Sequence, residues 1–459
     1  MKSLLKGKSL TESAMKKKEV RVLEVFSGAG GLSLGFDLVR NKAGGRAYEI
    51  VLAVDNFKYA CQTLRKYFLK EYGTDSVVLE ADLTDPATHK KIIEACGENV
   101  DLIIGGPPCQ SFSTLGPRSG YGVGDRKYEK YRTMDRLYKE YLALVKELDP
   151  SFIIFENVKG ILSKKDEKEN KYIDIIISDF KDLGYSFESE NEKIKTDYLV
   201  LNAADYGVPQ IRERVFLIGN NLGIKNPYPK PTHKPGNYVT LSEALGDLPR
   251  LRAKLTITGI KKCEKGSIEK HNRKVDNGRD VIPYHHELLT EHYQTQSRRG
   301  KRFLNFIKPN GTPVPLSHHV ARSQQKSDVE LFRGMRQGMT AEDVISAKSE
   351  NIRRLGKLIK YDMESFTDKY KKQSWKKPCS TVFAHLEKDG NRFIHPDSRQ
   401  ARTITVREAA RIQSFPDWYQ FEGPYSKKFR QIGNAVPPLL AYAIAKRMFN
   451  VINNGNHKL

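Results

Sequence analysis

The chain has 459 residues, 78 of them Lys or Arg against 55 Asp or Glu, for a formal charge of +23, which is length enough for two or three domains and a full hydrophobic core. It has no run of ~18 apolar residues, and its first residues are basic and polar without the apolar centre of a secretion signal, so a cytoplasmic protein with no membrane association is expected. Five scattered cysteines, Cys61, Cys96, Cys109, Cys263 and Cys379, form no CxxC pair. They argue against a disulfide framework or a zinc site.

The positive excess is segregated. Residues 221–380 carry +16 of it and residues 1–20 carry +4. Solubility alone does not require such segregation, so a polyanion partner is the natural inference.

In chain order, residues 1–19 read as a flexible basic arm. Val20 to Phe26 reads as a strand, followed by Ser27-Gly28-Ala29-Gly30-Gly31 and a helix from Leu32 to Leu38. A glycine-rich turn between strand and helix lets the backbone approach a cofactor, and the helix N-terminus offers free N–H groups to an anion. The next strand, Ile50 to Val54, delivers Asp55 at the spacing from which a carboxylate accepts ribose hydroxyls. Asp82 follows at the end of another strand, although either acid could also simply cap the next helix.

Asp101-Leu102-Ile103-Ile104 reads as a parallel strand buried on both faces. It runs into Gly105-Gly106-Pro107-Pro108-Cys109-Gln110-Ser111-Phe112-Ser113, which places a thiol at the carboxyl end of the sheet, where ligands of open α/β sheets bind. A free cysteine taken alone is most often a buried structural one. Here two prolines fix its direction and polar neighbours favour a reactive thiolate. Thr114 to Arg132 then reads as a mobile loop, and Leu137, Tyr141, Leu144, Val145 and Leu148 as the core face of a helix. The strand Ser151 to Phe155 brings Glu156-Asn157-Val158 to the same edge as Cys109. A carboxyl buried there is expected to hold a proton more tightly, the alternative being a helix cap.

Tyr172, Ile173, Ile176, Ile177, Phe180 and Leu183 form a second core stripe. In Gln210-Ile211-Arg212-Glu213-Arg214, two arginines at i and i+2 of a strand share one face and could clamp one anionic or carbonyl-rich ligand. A surface ion-pair cluster is the plainer reading. Composition shifts to turn residues and charge from Tyr228, marking a domain boundary. Arg298, Arg299 and Arg302, then Lys371, Lys372, Lys376 and Lys377, form basic clusters interleaved with Phe303, Tyr370 and Trp375 that suit phosphates, although any one cluster could be mere solvated surface. His271, His285, His286, His318 and His319 lack partners at ligand spacing, so no metal is assigned. Near the end, Thr405 and Glu408 form a capping box for a structural helix, and Gln431-Ile432-Gly433-Asn434-Ala435-Val436-Pro437-Pro438 precedes an apolar helix from Leu439 to Phe449.

A Pro-Pro-Cys-Gln loop after a Phe-Ser-Gly-Ala-Gly-Gly turn, followed in order by Glu-Asn-Val, Gln-Ile-Arg-Glu-Arg and Gly-Asn-Ala-Val-Pro-Pro, resembles the bacterial DNA (cytosine-5) methyltransferases over roughly residues 20–250 and 380–450. The resemblance implies an α/β fold: a Rossmann-like sheet of the S-adenosylmethionine-dependent methyltransferases with helices on both faces, interrupted by a target-recognition domain. The expected division is a basic arm at 1–19, a catalytic domain at 20–226, a recognition domain at 227–385 and a return to the catalytic domain at 386–459. The implied cofactor is S-adenosyl-L-methionine, leaving as S-adenosyl-L-homocysteine, with no metal. Phe26, Gly28, Gly30, Gly31, Asp55, Asn56, Asp82, Leu83, Gly106, Pro108, Leu137, Asn434, Ala435 and Val436 would bind it. Cys109 would be the nucleophile at cytosine C6, Glu156 the acid at N3, and Arg212 with Arg214 the clamp on the flipped base. Gln110, Ser113 and the two basic clusters would contact double-stranded DNA. The implied setting is a monomer in the bacterial cytoplasm at the nucleoid, with a cognate restriction endonuclease acting independently left open. A transfer-RNA cytosine-5 methyltransferase, or a silent DNA-binding regulator on the same scaffold, is the alternative.

Overall fold

The computed structural model describes residues 19–97, 99–108, 137–166, 168–256, 281–282, 297–309, 316–361 and 369–454. Residues 1–18 of the arm, the stretch from Cys109, Gln110 and Ser113 through Arg132, and His271, His285 and His286 lie outside them.

A seven-stranded sheet organises the molecule: β1 (Val20–Val25), β2 (Tyr48–Asp55), β3 (Val78–Glu80), β4 (Leu102–Gly105), β5 (Phe152–Val158), β6 (Leu199–Asn202) and β7 (Glu213–Asn220), in the order β3-β2-β1-β4-β5-β7-β6. Strands β1 to β5 are parallel, whereas β7 runs antiparallel to both β5 and β6. The central strands are apolar on both faces, as strands covered by helices on each side must be. Alternation along a strand divides its residues between two cores. Val22, Leu102 and Ile104 pack on one face, while Leu23, Val25 and Ile103 pack on the other. The strand order reverses between β1 and β4, which opens the crevice where such sheets take their ligands.

Helices α1 (Gly31–Asp37), α2 (Lys58–Tyr72), α3 (Pro86–Cys96), α4 (Leu137–Leu148) and α5 (Tyr172–Asp182) cover the two faces. The core stripes read from the sequence in α4 and α5 are buried there as expected: Tyr141, Leu144 and Val145 on one, Ile173, Ile176, Ile177 and Phe180 on the other.

Within the stretch expected to form a recognition domain, 227 to 385, the apolar residues fall into two cores. Helices α6 (Leu241–Leu245) and α7 (Arg298–Ile307) belong to the main core through Leu241, Ala244, Phe303 and Ile307. The separate core comprises side chains of α8 (Lys326–Gly334), α9 (Ala341–Ile345) and α10 (Glu350–Arg353) with Tyr370, and it continues to Ile394 and Ala401. Apolar residues in the basic stretch explain the division, because some of them are spent on the sheet's own helices. Phe303 and Tyr370, read as aromatics interleaved for nucleic acid, are core residues with 2% and 1% exposure. Lys372, read as a phosphate ligand, is fully buried. Its ammonium donates to the Phe332 and Met335 carbonyls and to the Ser398 hydroxyl, so it cannot meet a phosphate.

The return consists of α11 (Val406–Ile412), α12 (Tyr425–Asn434) and α13 (Pro438–Asn454). Thr405 and Glu408 make the expected capping box, and Glu408 also takes a two-pronged bond from Arg402 at 2.7 Å to each oxygen. Arg407 holds the Ser317, Pro416 and Tyr419 carbonyls. Arg411 pairs with Asp417 and Asp247. Each buried charge is thus matched, the condition under which a buried ionic cluster is tolerated.

Candidate active site

At the carboxyl end of β1 the chain turns through Phe26, whose φ of 55° is the left-handed region that a bulky residue rarely adopts. Ser27 fixes this turn by donating its hydroxyl toward the Glu24 and Val54 carbonyls. The Gly28 and Phe57 amides donate to the two carboxylate oxygens of Asp55, each at 2.8 Å. The cofactor loop is therefore tied to the end of β2. Gly31 then approaches the C-terminal return so closely that a Cβ would lie 2.1 Å from the Val436 carbonyl oxygen. Only glycine lets the two ends of the chain meet here.

On the other side of the crevice, β4 ends in Gly105 and leads into Gly106, Pro107 and Pro108, and β5 carries Glu156 and Asn157. The Asn157 side-chain amide donates to the Pro107 carbonyl at 3.3 Å, so the base of the loop bearing Cys109 is fastened to β5. Glu156 is 9% exposed, with one oxygen 3.0 Å from Arg214 Nε. Burial holds its carboxyl above the usual range, although the Arg214 and Arg212 guanidiniums pull the other way. A Cβ on Gly106 would fall 2.5 Å from Glu156 Oε2.

These elements enclose a cavity of about 610 Å³, within the range of small-ligand sites. Of the residues singled out in the sequence, Phe26, Gly28, Gly31, Asp55, Gly106, Pro108, Glu156, Arg214, Asn434, Ala435 and Val436 line it. Gly30, Asn56, Asp82, Leu83 and Leu137 do not. Asn56 and Asp82 are exposed neighbours whose side chains approach at 3.4 Å, and two bonds from Thr84 hold the Asp82 carboxyl below its usual range. Leu83 is buried in the core.

Arg212 departs from the expected clamp. The strand begins only at Glu213, and the fully buried Arg212 donates to the carbonyls of Val382, Gly433 and Ala435. Its two Nη groups are turned to backbone while its Nε has no partner among the described residues, so it ties distant segments together beside Arg214. The α7 arginines lie apart from this cavity too. Arg299 is engaged by Glu243, and Arg299 and Arg302 line a different cavity, against α13. Lys376 and Lys377 are exposed and Lys371 is half-buried.

Two groups of lining residues escaped the sequence reading. Glu24 is buried within β1. One of its oxygens accepts from the Ser33 amide at 3.2 Å, the other has no partner among the described residues, and burial pushes its carboxyl up to about 8. The signal was present as a lone carboxylate inside an otherwise apolar strand. Phe383, Ala384, His385, Glu387 and Lys388, with Arg430 of α12, wall the opposite side, and nothing in their spacing announced it.

Strand order, the reversed β7 and a carboxylate-lined cavity at the β1/β4 crevice define a methyltransferase of the Rossmann-like class. The C-5 cytosine-specific DNA methylase family model matches residues 20–450. The chain belongs to that family and is a DNA (cytosine-5-)-methyltransferase. It is 31% identical to Type II methyltransferase M.DdeI of Desulfomicrobium norvegicum, covering 95% of this chain and 92% of that one, and 32% identical to Type II methyltransferase M.Bpa9945I of Bacillus paralicheniformis, covering 95% and 100%. A solved putative DNA modification methyltransferase encoded within an E. coli prophage shares the fold, with a TM-score of 0.58 at 24% identity over 95% of this chain. Among the described residues no helix is long and apolar enough to cross a membrane.

Proposed function

We propose that this enzyme methylates C5 of a cytosine flipped out of a specific duplex sequence, as the modification half of a type II system in the bacterial cytoplasm. The observation that carries the reading is the junction of Glu156, Gly106 and the Pro107-Pro108 segment at the sheet edge, from which Cys109 follows directly. The cavity suits S-adenosyl-L-methionine: the carboxyl groups of Glu24, Asp55 and Glu156 line it and can accept hydrogen bonds from the ligand's ammonium and hydroxyl groups, while glycine at 31 and 106 lets Val436 and Glu156 close in as walls. Asp55 would take the ribose hydroxyls, and Phe26 and Val436 the walls around the methionine end. When bound, the cofactor supplies an electrophilic methyl group.

The chain's own residues do the rest. Cytosine C5 is a poor nucleophile until the Cys109 thiolate adds at C6 while Glu156 donates a proton to N3, which turns C5 into an enamine carbon. Arg214, 3.0 Å from Glu156, fixes the carboxyl's direction, and burial favours its protonated form. After C5 is methylated, solvent water takes the C5 proton, the thiolate departs, and N3 returns its proton to Glu156, which restores the ring and the enzyme. A thiol cannot reach C6 inside a stacked duplex, so the base must be extruded. Sequence choice is assigned to the basic segment around the separate core, with Lys376 and Lys377 on phosphates. Trapping on a duplex containing 5-fluorocytosine tests the reading. A covalent adduct with the wild-type chain and none with Cys109→Ser is expected. An adduct on transfer RNA instead of duplex DNA would transfer the substrate assignment to RNA.

A further inference from the structure

A second cavity, of about 740 Å³, lies along the flank of α13 and shares no lining residue with the first. The Tyr48 hydroxyl, at the start of β2, donates to the Ala445 carbonyl at 2.8 Å, so α13 runs from the cofactor loop down to the amino ends of the strands. The cavity follows it away from Glu156. Its floor is aromatic: Phe303 and Phe306 of α7 face Tyr442 of α13, with the Phe306 and Tyr442 rings 5.8 Å apart. Its rim is cationic, and among the described residues no Asp or Glu lines it. Arg299 and Arg447 are neutralised from outside by Glu243 and Glu190. Lys230, Arg302 and Lys446 have no ion-pair partner among the described residues. Burial, and after it the Arg302 and Arg299 guanidiniums, push the His233 imidazole below its usual value against the pull of Asp205 and Glu243. The contrast with the catalytic cavity is chemical. That one sets carboxyl groups beside Arg214, Lys388 and Arg430, whereas the described lining of this one holds cations around rings and no carboxyl group.

We propose that this second cavity is a nucleotide-binding site, taking a base against Phe306 and Tyr442 and a phosphate between Lys230, Arg302 and Lys446. Rings interleaved with cations are the composition by which unpaired nucleotides are held, since every base has a face to stack and every nucleotide a charge to neutralise. An apolar anion without a ring would leave the aromatic floor unused, and inorganic phosphate would leave most of the volume empty. The nucleotide can be free or can be the unpaired end of a strand, and the two present the same chemistry to the site.

The test uses the full chain saturated with S-adenosyl-L-homocysteine, so that the catalytic cavity is filled, and calorimetric titration with dGMP, deoxyguanosine, inorganic phosphate and a 5′-phosphorylated single-stranded trinucleotide. Saturable binding of dGMP is expected, with deoxyguanosine and phosphate at least tenfold weaker. The double variant Lys230→Glu/Lys446→Glu, at two exposed positions outside the catalytic cavity, should weaken dGMP at least tenfold and leave the duplex methylation rate within twofold. A trinucleotide tighter than dGMP makes a strand end the ligand, and a weaker one makes it the free nucleotide. Absence of saturable dGMP binding, phosphate binding as tight as dGMP, or an unchanged affinity in a folded double variant overturns the proposal.

Discussion

Replacing Glu24 with glutamine should remove a pH dependence from the stability of the whole enzyme. Glu24 is 1% exposed, and its carboxyl is pushed from the usual 4.5 up to about 8 by burial, against the opposing pull of its hydrogen bonds to Ser33. A carboxyl that binds its proton more tightly in the folded state favours folding at low pH, and that advantage is lost as pH climbs from about 4.5 through about 8. Between pH 5 and pH 9 the loss assigned to this one group is about 4 kcal/mol. Glutamine keeps an oxygen for the Ser33 amide but cannot ionise. Its NH2 group would occupy the place where the second carboxylate oxygen has no partner, at a cost of ~1–3 kcal/mol that does not vary with pH. Urea titrations followed by the fluorescence of Trp375 and Trp418, at pH 5 and pH 9, isolate the pH-dependent part that belongs to Glu24 and its coupling to Asp55 and Tyr419, because the remaining titrating groups cancel between the two proteins. The wild type should lose about 4 kcal/mol more than Glu24→Gln across that interval. Equal losses would refute the assignment of a neutral, buried Glu24.

Gly106→Ala should displace the Glu156 carboxyl, because the added Cβ would sit 2.5 Å from Oε2; a loss of turnover of about a hundredfold is expected for such a misplacement, and near-normal turnover would free Glu156 from its assigned role. Arg212→Met should lower the unfolding free energy by at least about 3 kcal/mol by leaving the Val382, Gly433 and Ala435 carbonyls without their donor, and a loss below about 1 kcal/mol would show that water replaces it. Neutralising exposed Lys376 and Lys377 should flatten the salt dependence of duplex binding by roughly two units of logarithmic slope. Lys372→Gln should instead lower the thermal midpoint and leave that slope unchanged, and a change of slope would mean that the buried ammonium reaches DNA after all.

The catalytic half of the fold was legible because its strands are apolar on both faces and its helices carry regular stripes, so periodicity alone placed β1, β4, β5, α4 and α5. The chemistry was legible where a polar residue interrupts an apolar strand end, as at Asp55 and Glu156. Glu24 carries the same signal within β1, but it lies inside the strand and was passed over. The basic segment was legible only as charge. Its count could not distinguish Lys376, which faces solvent, from Lys372, which is spent on two carbonyls and a hydroxyl, because that difference depends on which neighbours α8 and residue 398 bring up. Local spacing likewise gave Arg212 and Arg214 one shared face, whereas contacts more than a hundred residues away in sequence determine where Arg212 points.

Those distant contacts explain why the family's motifs are scattered along the chain. Arg214 holds the carboxyl of Glu156, and two residues earlier Arg212 binds the Val382 carbonyl from the end of the basic segment together with the Gly433 and Ala435 carbonyls from the closing motif. Val436, the next residue of that motif, touches Gly31 of the cofactor loop. One short segment, 212–214, therefore joins Glu156, the carbonyl of Val382 and the closing motif that walls the cavity. Of the stretch between residues 214 and 382, β7, α6 and α7 are packed in the main core, so only the part around the separate core can vary in length without disturbing the site. On the proposed reading, that part is the one free to change the sequence the enzyme selects, because the candidate site is held by residues outside it.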